Sequence, residues 1–167
     1  MIKIICDSIS DLPIEIIEKY NIDIVPLTVI FDNKEYLAGE TLTTKEFYKI
    51  LRDTDIMPKT SQATYVQFKS AFEKYDENTE IIYIAGSSTA SGTYQSSMLA
   101  KNDGHDNVSI FDTQNLSIGS ALFVIKACEM VENGCSIEEI ILLLEKLKND
   151  VEVVFSVDTL EYLKMGG

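Results

Sequence analysis

The residues best suited to chemistry lie in a run of hydroxyl side chains between Ser87 and Ser97. An apolar segment typical of a buried strand precedes the run, and a segment typical of a helix follows it. Hydroxyl groups and the free N–H groups of a helix start can bind an anion, and Gly92 lets a ligand approach the backbone closely. The run predicts an anion-binding loop, although a helix start capped by Ser or Thr accounts for the same residues.

The elements that must position this loop alternate along the chain. Alternating strands and helices predict an α/β fold, here a three-layer αβα, Rossmann-like arrangement around a mostly parallel sheet. We expect strands at residues 3–6, 24–31, 81–85, 107–111 and 151–157, and a loop at 54–63. Pro26 indicates an edge strand or a bulge within 24–31, and a turn at residues 32–34 predicts a hairpin return at 35–37. We expect helices at residues 13–20, 43–51, 64–75, 94–101, 117–132 and 137–148, and a final helical turn that Asp158 or Thr159 caps and that runs through Lys164. Thr43 with Glu46 and Ser136 with Glu139 predict capping boxes, and Thr64 predicts a helix cap.

Three polar loops follow predicted strands, at residues 7–11, 87–93 and 112–117. The loops after parallel strands gather at one edge of a sheet, which is where open α/β sheets bind ligands. A fourth polar segment, Pro58 to Gln62, precedes a predicted helix. Capping and turn formation explain each segment by itself, but their number at one edge favours a binding site.

Catalysis by this edge has weak support in the residues themselves. A serine nucleophile needs a base, and the only histidine, His105, lies between Gly104 and Asp106 in a predicted turn. Asp7 and Asp112 at strand ends suit Mg²⁺ binding or base catalysis, but equally the capping of a helix or the ordering of a loop. Neither a P-loop nor a dinucleotide-binding fingerprint is present. A hydrolase or phosphotransferase and a simple interaction domain both remain alternatives.

Composition limits the class of protein. The chain has 167 residues, enough for one domain with a core. Its net charge of −13 disfavours nucleic acid as a partner, and it has no apolar run long enough for stable membrane insertion. Three cysteines without ligand spacing argue against a metal site and a disulfide framework, so we expect a reducing cytoplasm.

Six segments together resemble the DegV family of bacterial fatty-acid-binding proteins, in order and across the whole chain. They are Asp7-Ser8-Ile9-Ser10-Asp11-Leu12, Val25-Pro26-Leu27, Pro58-Lys59-Thr60-Ser61-Gln62, residues 87–96 (S-S-T-A-S-G-T-Y-Q-S), Asp112-Thr113 with Ser117 and Gly119, and residues 160–167 (L-E-Y-L-K-M-G-G). The chain departs from the family pattern at Ile9, Ala63 and Ala90, and Ala90 puts the shape of the pocket near the loop in doubt.

The resemblance implies a carrier and not an enzyme. Residues 1–167 are similar to the family's N-terminal domain, so we expect the chain to stop before a second, lipid-binding domain. The implied ligand is one long-chain fatty acid, with no cofactor, and the implied partner is a fatty acid kinase that forms an acyl phosphate. Carried over by position, the carboxylate contacts fall on Thr60 and Ser91. The supporting residues are Ser61, Ser88, Gly92 and Thr93.

Overall fold

A computed structural model describes residues 1–54, 56–161 and 164. Its strands are β1 (Ile2–Asp7), β2 (Asp23–Val25), β3 (Thr28–Phe31), β4 (Lys34–Leu37), β5 (Lys59–Ser61), β6 (Glu80–Ala85) and β7 (Val108–Asp112). Its helices are α1 (Ile14–Tyr20), α2 (Thr44–Asp53), α3 (Tyr65–Phe72), α4 (Thr93–Asn102), α5 (Ile118–Glu132) and α6 (Ile137–Leu147). Short 3₁₀ turns occupy Ser8–Ser10 and Lys148–Asp150.

The main sheet is parallel throughout and has the strand order β2-β1-β6-β7. Successive side chains of a strand point to opposite faces, and both faces are covered. Ile82 and Ile84 pack in the core under α1, α5 and α6, whereas Ile81 and Tyr83 pack in the core under α3 and α4. The prediction of a three-layer α/β fold is confirmed.

A smaller antiparallel sheet has the order β4-β3-β5 and packs against α2. The hairpin predicted around Asp32 and Asn33 joins β3 to β4, and both turn residues have positive φ. Thr43 and Glu46 form the predicted capping box at the start of α2. Val29 and Phe31 face the helix from β3 and build a separate small core. This lobe places β5, and therefore Thr60, beside the main sheet.

Two predicted segments differ from the structure for reasons of strand pairing. The single strand expected at 24–31 is divided into β2, which belongs to the parallel sheet, and β3, which belongs to the antiparallel one. Pro26 has no N–H with which to continue a ladder, and Leu27 N instead donates to Ser8 Oγ at 3.0 Å. The loop expected at 54–63 contains β5, whose pairing with β3 is non-local and leaves no hydrophobic pattern.

The strand predicted at 151–157 is also wrong, because these residues form no strand in the described structure. Strand propensity reflects how well a side chain fits a half-buried pleated surface, and here Val154 is 91% and Phe155 75% exposed. Beyond this segment, Glu161 N donates to Thr159 Oγ1 at 3.2 Å, as expected of a capping residue. The remainder of the predicted turn includes Tyr162 and Leu163, which lie outside the described residues.

The predictions for the starts of α3 and α6 are also confirmed. Ser136 and Glu139 form a capping box at the start of α6, and Thr64 caps α3 together with Gln67. Cys6 and Cys128 are free and buried in the core, and burial raises the pKa of Cys128 to about 12. No helix in the described part of the chain is long and apolar enough to cross a membrane.

Candidate functional site

The loops that follow β1, β6 and β7 meet at the carboxyl edge of the parallel sheet. Gly86 N donates to Asp7 Oδ2 at 3.1 Å, which joins the loop after β6 to the end of β1. Ser88 N donates to Asp112 Oδ1 at 3.1 Å, which joins the same loop to the end of β7. Ser117 N donates to Ile9 O at 2.9 Å and closes the third side. The prediction from the sequence that these loops lie together is therefore confirmed.

The hydroxyl loop, residues 86–93, is ordered largely by its own side chains. Ser87 Oγ and Thr89 Oγ1 lie 2.8 Å apart. Ser91 Oγ donates to Thr93 Oγ1 at 2.9 Å and accepts from Thr93 N at 3.2 Å. Because a hydroxyl proton rotates at little cost, Ser91 can turn its donor from Thr93 to a ligand. The loop ends at the start of α4, where the free N–H groups of a helix favour an anion.

The segment after β5 lies directly against the hydroxyl loop. Ala63 N donates to Thr93 Oγ1 at 3.2 Å, and Gln62 Nε2 donates to Ser96 Oγ at 3.0 Å. Contact at Gly92 is so close that a Cβ there would lie 1.8 Å from Gln62 Oε1. Gly92 therefore lets the two segments touch, and a larger residue there would displace the end of the Gln62 side chain. This contact brings the strand that carries Thr60 to the loop that carries Ser91.

The predicted site residues differ in their exposure. Thr60 and Ser61 are exposed, Ser88, Ser91 and Gly92 are half-buried, and Thr93 is only 1% exposed. Thr93 therefore acts as the joint between the two segments and has no surface for a ligand. Gly92 N has no hydrogen-bond acceptor among the described residues, so its N–H group is available for a ligand.

Asp7 lacks the solvent access that acid–base catalysis needs, and its carboxylate is engaged by three donors. Its side chain is 1% exposed and accepts hydrogen bonds from Tyr83 Oη, Gly86 N and Ile9 N. Burial raises the pKa of Asp7, although these three donors oppose the shift. Burial and the nearby Asp7 charge also raise the pKa of Tyr83 well above its ordinary value, so its hydroxyl remains a donor.

Ser91 has no histidine base. His105 precedes β7, so it lies at the opposite edge of the sheet, with Nδ1 3.0 Å from Ala100 O and its ring packed against Phe72. In the part of the chain that the structure describes, no group of three or more His, Cys, Asp or Glu side chains is arranged to hold a metal ion. The arrangement suits binding through neutral donors better than nucleophilic attack.

An apolar groove adjoins the lobe that carries Thr60. We call it the α1–α2 groove; its volume is about 440 Å³, and it runs between those two helices. Its apolar lining includes Leu12, Ile14, Ile17, Ile24, Val29 and Phe47. Val29 pairs with Thr60 in the β3–β5 register, and Ser8 at the groove holds Leu27 N. Sequence periodicity did not reveal the groove, because its walls come from separate elements.

Three contacts of the hydroxyl loop could not be predicted from the sequence, for a common reason. Gln62 contacts the hydroxyl loop, and Asp7 and Asp112 hold it from either side. Each partner lies far away along the chain, and a single sequence carries no signal for such a pairing. Gly92 was the one local clue, because a glycine in a loop permits the close approach of another segment.

Comparison with known proteins agrees with this geometry. The sequence model of the family described as "Uncharacterised protein, DegV family" matches residues 1–167. A protein of Thermotoga maritima named as a fatty acid-binding protein is 37% identical over 172 residues, which cover 99% of this chain and 60% of the relative. The chain thus spans about 60% of the length of the curated relatives it matches.

Solved structures show the same fold. A fatty-acid-binding DegV family protein of Thermus thermophilus superposes with a TM-score of 0.89 at 34% identity, covering 99% of this chain and 59% of the other. A stearic acid-binding protein of Eubacterium ventriosum superposes with a TM-score of 0.93 at 31% identity, covering 100% of this chain and 60% of the other. These relatives are described as binding proteins and not as enzymes.

Proposed function

The chain belongs to the DegV family, and from that premise we propose that it binds one long-chain fatty acid through Thr60 and Ser91. Ser61, Ser88 and the N–H of Gly92 support the carboxylate contacts. The proposal is carried by one observation: Thr93 Oγ1 accepts from both Ala63 N and Ser91 Oγ, which joins the two segments that bear the hydroxyls. Two relatives of solved structure that are described as fatty-acid-binding share 34% and 31% sequence identity with this chain.

Neutral donors are sufficient for the head group because the tail supplies most of the binding energy. Burial of a methylene contributes about 0.8 kcal/mol, so a tail of about fourteen contributes on the order of 10 kcal/mol before the costs of association. A hydrogen bond to a charged group adds about 1.5–3 kcal/mol. The tail therefore sets the affinity, and Thr60 and Ser91 set the position of the carboxylate.

The α1–α2 groove is a suitable wall for part of the tail. Its volume of about 440 Å³ lies within the range of about 300–1,000 Å³ that is usual for small-molecule sites. Val29, one of its apolar side chains, lies directly opposite the exposed Thr60 in the pairing of β3 with β5. A bound acid can thus keep its carboxylate near the surface while its chain is removed from water.

A second apolar surface supports the proposal that a further domain completes the pocket in a longer protein of this type. Leu116, Ile118 and Leu122 are exposed around the start of α5. The exposed segment 153–155 lies beside them, because a Cβ at Gly119 would come 2.5 Å from Val153 Cγ2. Contiguous exposed apolar surface usually marks an interaction site. We propose that the second domain covers this surface and closes the tail pocket.

We propose further that the bound acid is presented to a fatty acid kinase in the cytoplasm. The kinase would transfer the terminal phosphoryl group of ATP to a carboxylate oxygen, which yields an acyl phosphate and ADP. Two features support presentation: Thr60 and Ser61 are exposed, and no base accompanies Ser91. The free cysteines are compatible with a reducing compartment.

Titration with palmitate and with the neutral hexadecanol tests the carboxylate contacts. We expect Thr60→Ala and Ser91→Ala to weaken palmitate binding about tenfold or more and hexadecanol binding far less. Ser70→Ala, which removes an exposed hydroxyl from α3, is the matched control and should change neither. An equal loss for acid and alcohol would contradict separate roles for head and tail.

The same titration tests the second domain. We expect the 167-residue chain to bind palmitate weakly, whereas a longer family member binds it tightly, because part of the tail pocket is supplied by the additional residues. Equal nanomolar affinity for both would refute a pocket completed by a second domain. With a fatty acid kinase added, Thr60→Ala and Ser91→Ala should reduce acyl phosphate formation more than they reduce tail binding.

A further inference from the structure

Two aspartates hold the hydroxyl loop from opposite sides. β6 lies between β1 and β7 in the sheet, and the loop that leaves β6 is bonded to the last residue of each neighbour. Gly86 N donates to Asp7 Oδ2 and Ser88 N donates to Asp112 Oδ1, both at 3.1 Å. Alternate peptide N–H groups of the loop are thus fixed by carboxylates from its two flanks.

Each aspartate also fixes its own loop. Asp7 Oδ1 accepts from Ile9 N at 3.0 Å, and Asp112 Oδ1 accepts from Gln114 N at 3.0 Å. Asp7 therefore uses both of its oxygens, whereas Asp112 makes both of its backbone contacts through Oδ1. The loop after β6 is thus joined to each of the other two through an aspartate side chain, while Ser117 N and Ile9 O join those two loops directly.

The two contacts determine which N–H groups remain for a ligand. Gly86 N and Ser88 N are occupied by the carboxylates, and Ser91 N donates to Ser87 O at 3.1 Å. Gly92 N has no acceptor among the described residues, and it adjoins the Ser91 hydroxyl. Ser87 N and Thr89 N likewise have no acceptor among the described residues. The two aspartates thus remove two donors from the loop and leave Gly92 N and the Ser91 hydroxyl at the end that faces the segment after β5.

We propose that Asp7 and Asp112 are positioning residues, which hold the hydroxyl loop so that Ser91 and Gly92 present their donors to the carboxylate of the ligand. The inference rests on the proposed function for the identity of the ligand. The two aspartates contact the loop through its backbone, and they act on the ligand only through the geometry of that loop.

An electrostatic role and a positioning role of the two aspartates predict opposite effects of the same variants on palmitate binding. A negative side chain near an anionic ligand repels it, so charge alone predicts tighter palmitate binding whenever either aspartate is neutralised. Position predicts a different pattern. Asp112→Asn retains Oδ1 as an acceptor for both N–H groups, whereas Asp112→Ala removes it. Asp7→Asn replaces one of two oxygens in use with an NH₂ group that cannot accept.

Amide hydrogen exchange of the 167-residue chain without ligand tests the positioning directly. Asp112→Ala should speed exchange at Ser88 and Gln114 about tenfold or more, and Asp112→Asn should leave both within about twofold. Asp7→Asn should speed exchange at Gly86. Asp23→Ala, at the other edge of the sheet, is the control for general loss of stability and should leave the ratio of Ser88 to core exchange unchanged. Unaltered exchange at Ser88 in Asp112→Ala would overturn the proposal.

Binding of palmitate and hexadecanol supplies the second readout. Asp112→Ala and Asp7→Asn should lower the ratio of palmitate to hexadecanol affinity about tenfold, and Asp112→Asn should keep that ratio. A rise in palmitate affinity in all three variants would assign the aspartates a purely electrostatic role and overturn positioning. If the unaltered chain binds palmitate no better than hexadecanol, the carboxylate site itself is wrong, and the exchange data still decide whether the aspartates hold the loop.

Discussion

The two edges of the parallel sheet hold their buried polar groups in different ways. At the amino edge, Lys3 is 8% exposed and pairs with Asp23 at 2.8 Å, while Lys74 lies 3.6 Å from the same carboxylate. At the carboxyl edge, Asp7 accepts only from neutral donors, namely one tyrosine hydroxyl and two backbone N–H groups. One edge is thus held by charge pairing and the other by backbone geometry.

The difference is consistent with the roles of the two edges. A cation that neutralised Asp7 would be a competing partner for an anionic ligand bound nearby. Donors that belong to the backbone instead order the loop without adding a mobile charge. The cost is a buried carboxylate whose hydrogen-bond donors among the described residues are all neutral, and this cost is acceptable where the ordered loop has a binding role.

The largest expected effect follows from the removal of Asp7. Asp7→Ala leaves the hydroxyl of Tyr83 and the N–H of Gly86 buried without an acceptor. We expect the free energy of unfolding to fall by about 3–5 kcal/mol, measured by urea denaturation. Tyr83→Phe removes one donor and keeps the carboxylate, so it should cost only about 1–2 kcal/mol. A loss below about 1 kcal/mol in Asp7→Ala would show that the carboxyl edge does not depend on this carboxylate for its stability.

The two edges should also respond oppositely to pH. Burial raises the pKa of Asp7. Burial alone would raise the pKa of Asp23 too, but hydrogen bonds from Lys3 and Tyr75 and the lysine charges lower it. Asparagine mimics a protonated carboxyl group, so Asp7→Asn and Asp23→Asn isolate the effect of each ionisation on stability.

The sign of each effect follows from linkage. As pH rises above about 4, the ordinary pKa of Asp, wild type should lose stability relative to Asp7→Asn until the raised pKa of Asp7 is passed. Relative to Asp23→Asn, it should instead gain stability as pH rises from the lowered pKa of Asp23 toward about 4. Neither slope can exceed about 1.4 kcal/mol per pH unit. Urea unfolding across the acid range measures both, and slopes of the same sign would remove the distinction between the edges.

A smaller effect tests the contact that joins β5 to the hydroxyl loop. Gly92→Ala places a Cβ 1.8 Å from Gln62 Oε1, so the glutamine must move and lose its bond to Ser96. Because the clash involves the end of a flexible side chain, we expect a cost of about 1 kcal/mol. In the Gln62→Ala background the same substitution should cost less, which a double-mutant cycle measures. Additive effects would mean that the cost of Gly92→Ala does not come from its contact with Gln62.

Features that depend on residues close together in the sequence could be predicted, and features that depend on distant residues could not. The capping box of Thr43 and Glu46 and the positions of β6 and β7 depend on neighbouring residues, and they were predicted closely. Pro26 indicated an irregularity in the strand, but the assignment of its two halves to different sheets and the pairing of β5 with β3 depend on distant partners and were missed. Thr60 and Ser91 came from resemblance to a family, whereas the contact of Gln62 with Gly92 became visible only in the fold.

The smallest effect compares two serines that begin helices. Ser117 begins α5 with φ +50° and makes no side-chain cap, whereas Ser136 begins α6 with φ −75° and caps Glu139 N. A positive φ is strained for serine and not for glycine. Ser117→Gly should therefore stabilise the chain by up to about 1 kcal/mol, while Ser136→Gly should cost a few tenths of a kcal/mol, both measured by urea denaturation. Because Ser117 N also bonds Ile9 O at the carboxyl edge, a gain in stability there would show that this edge retains local strain. If both variants lower the free energy of unfolding, the positive φ of Ser117 carries no strain that glycine relieves.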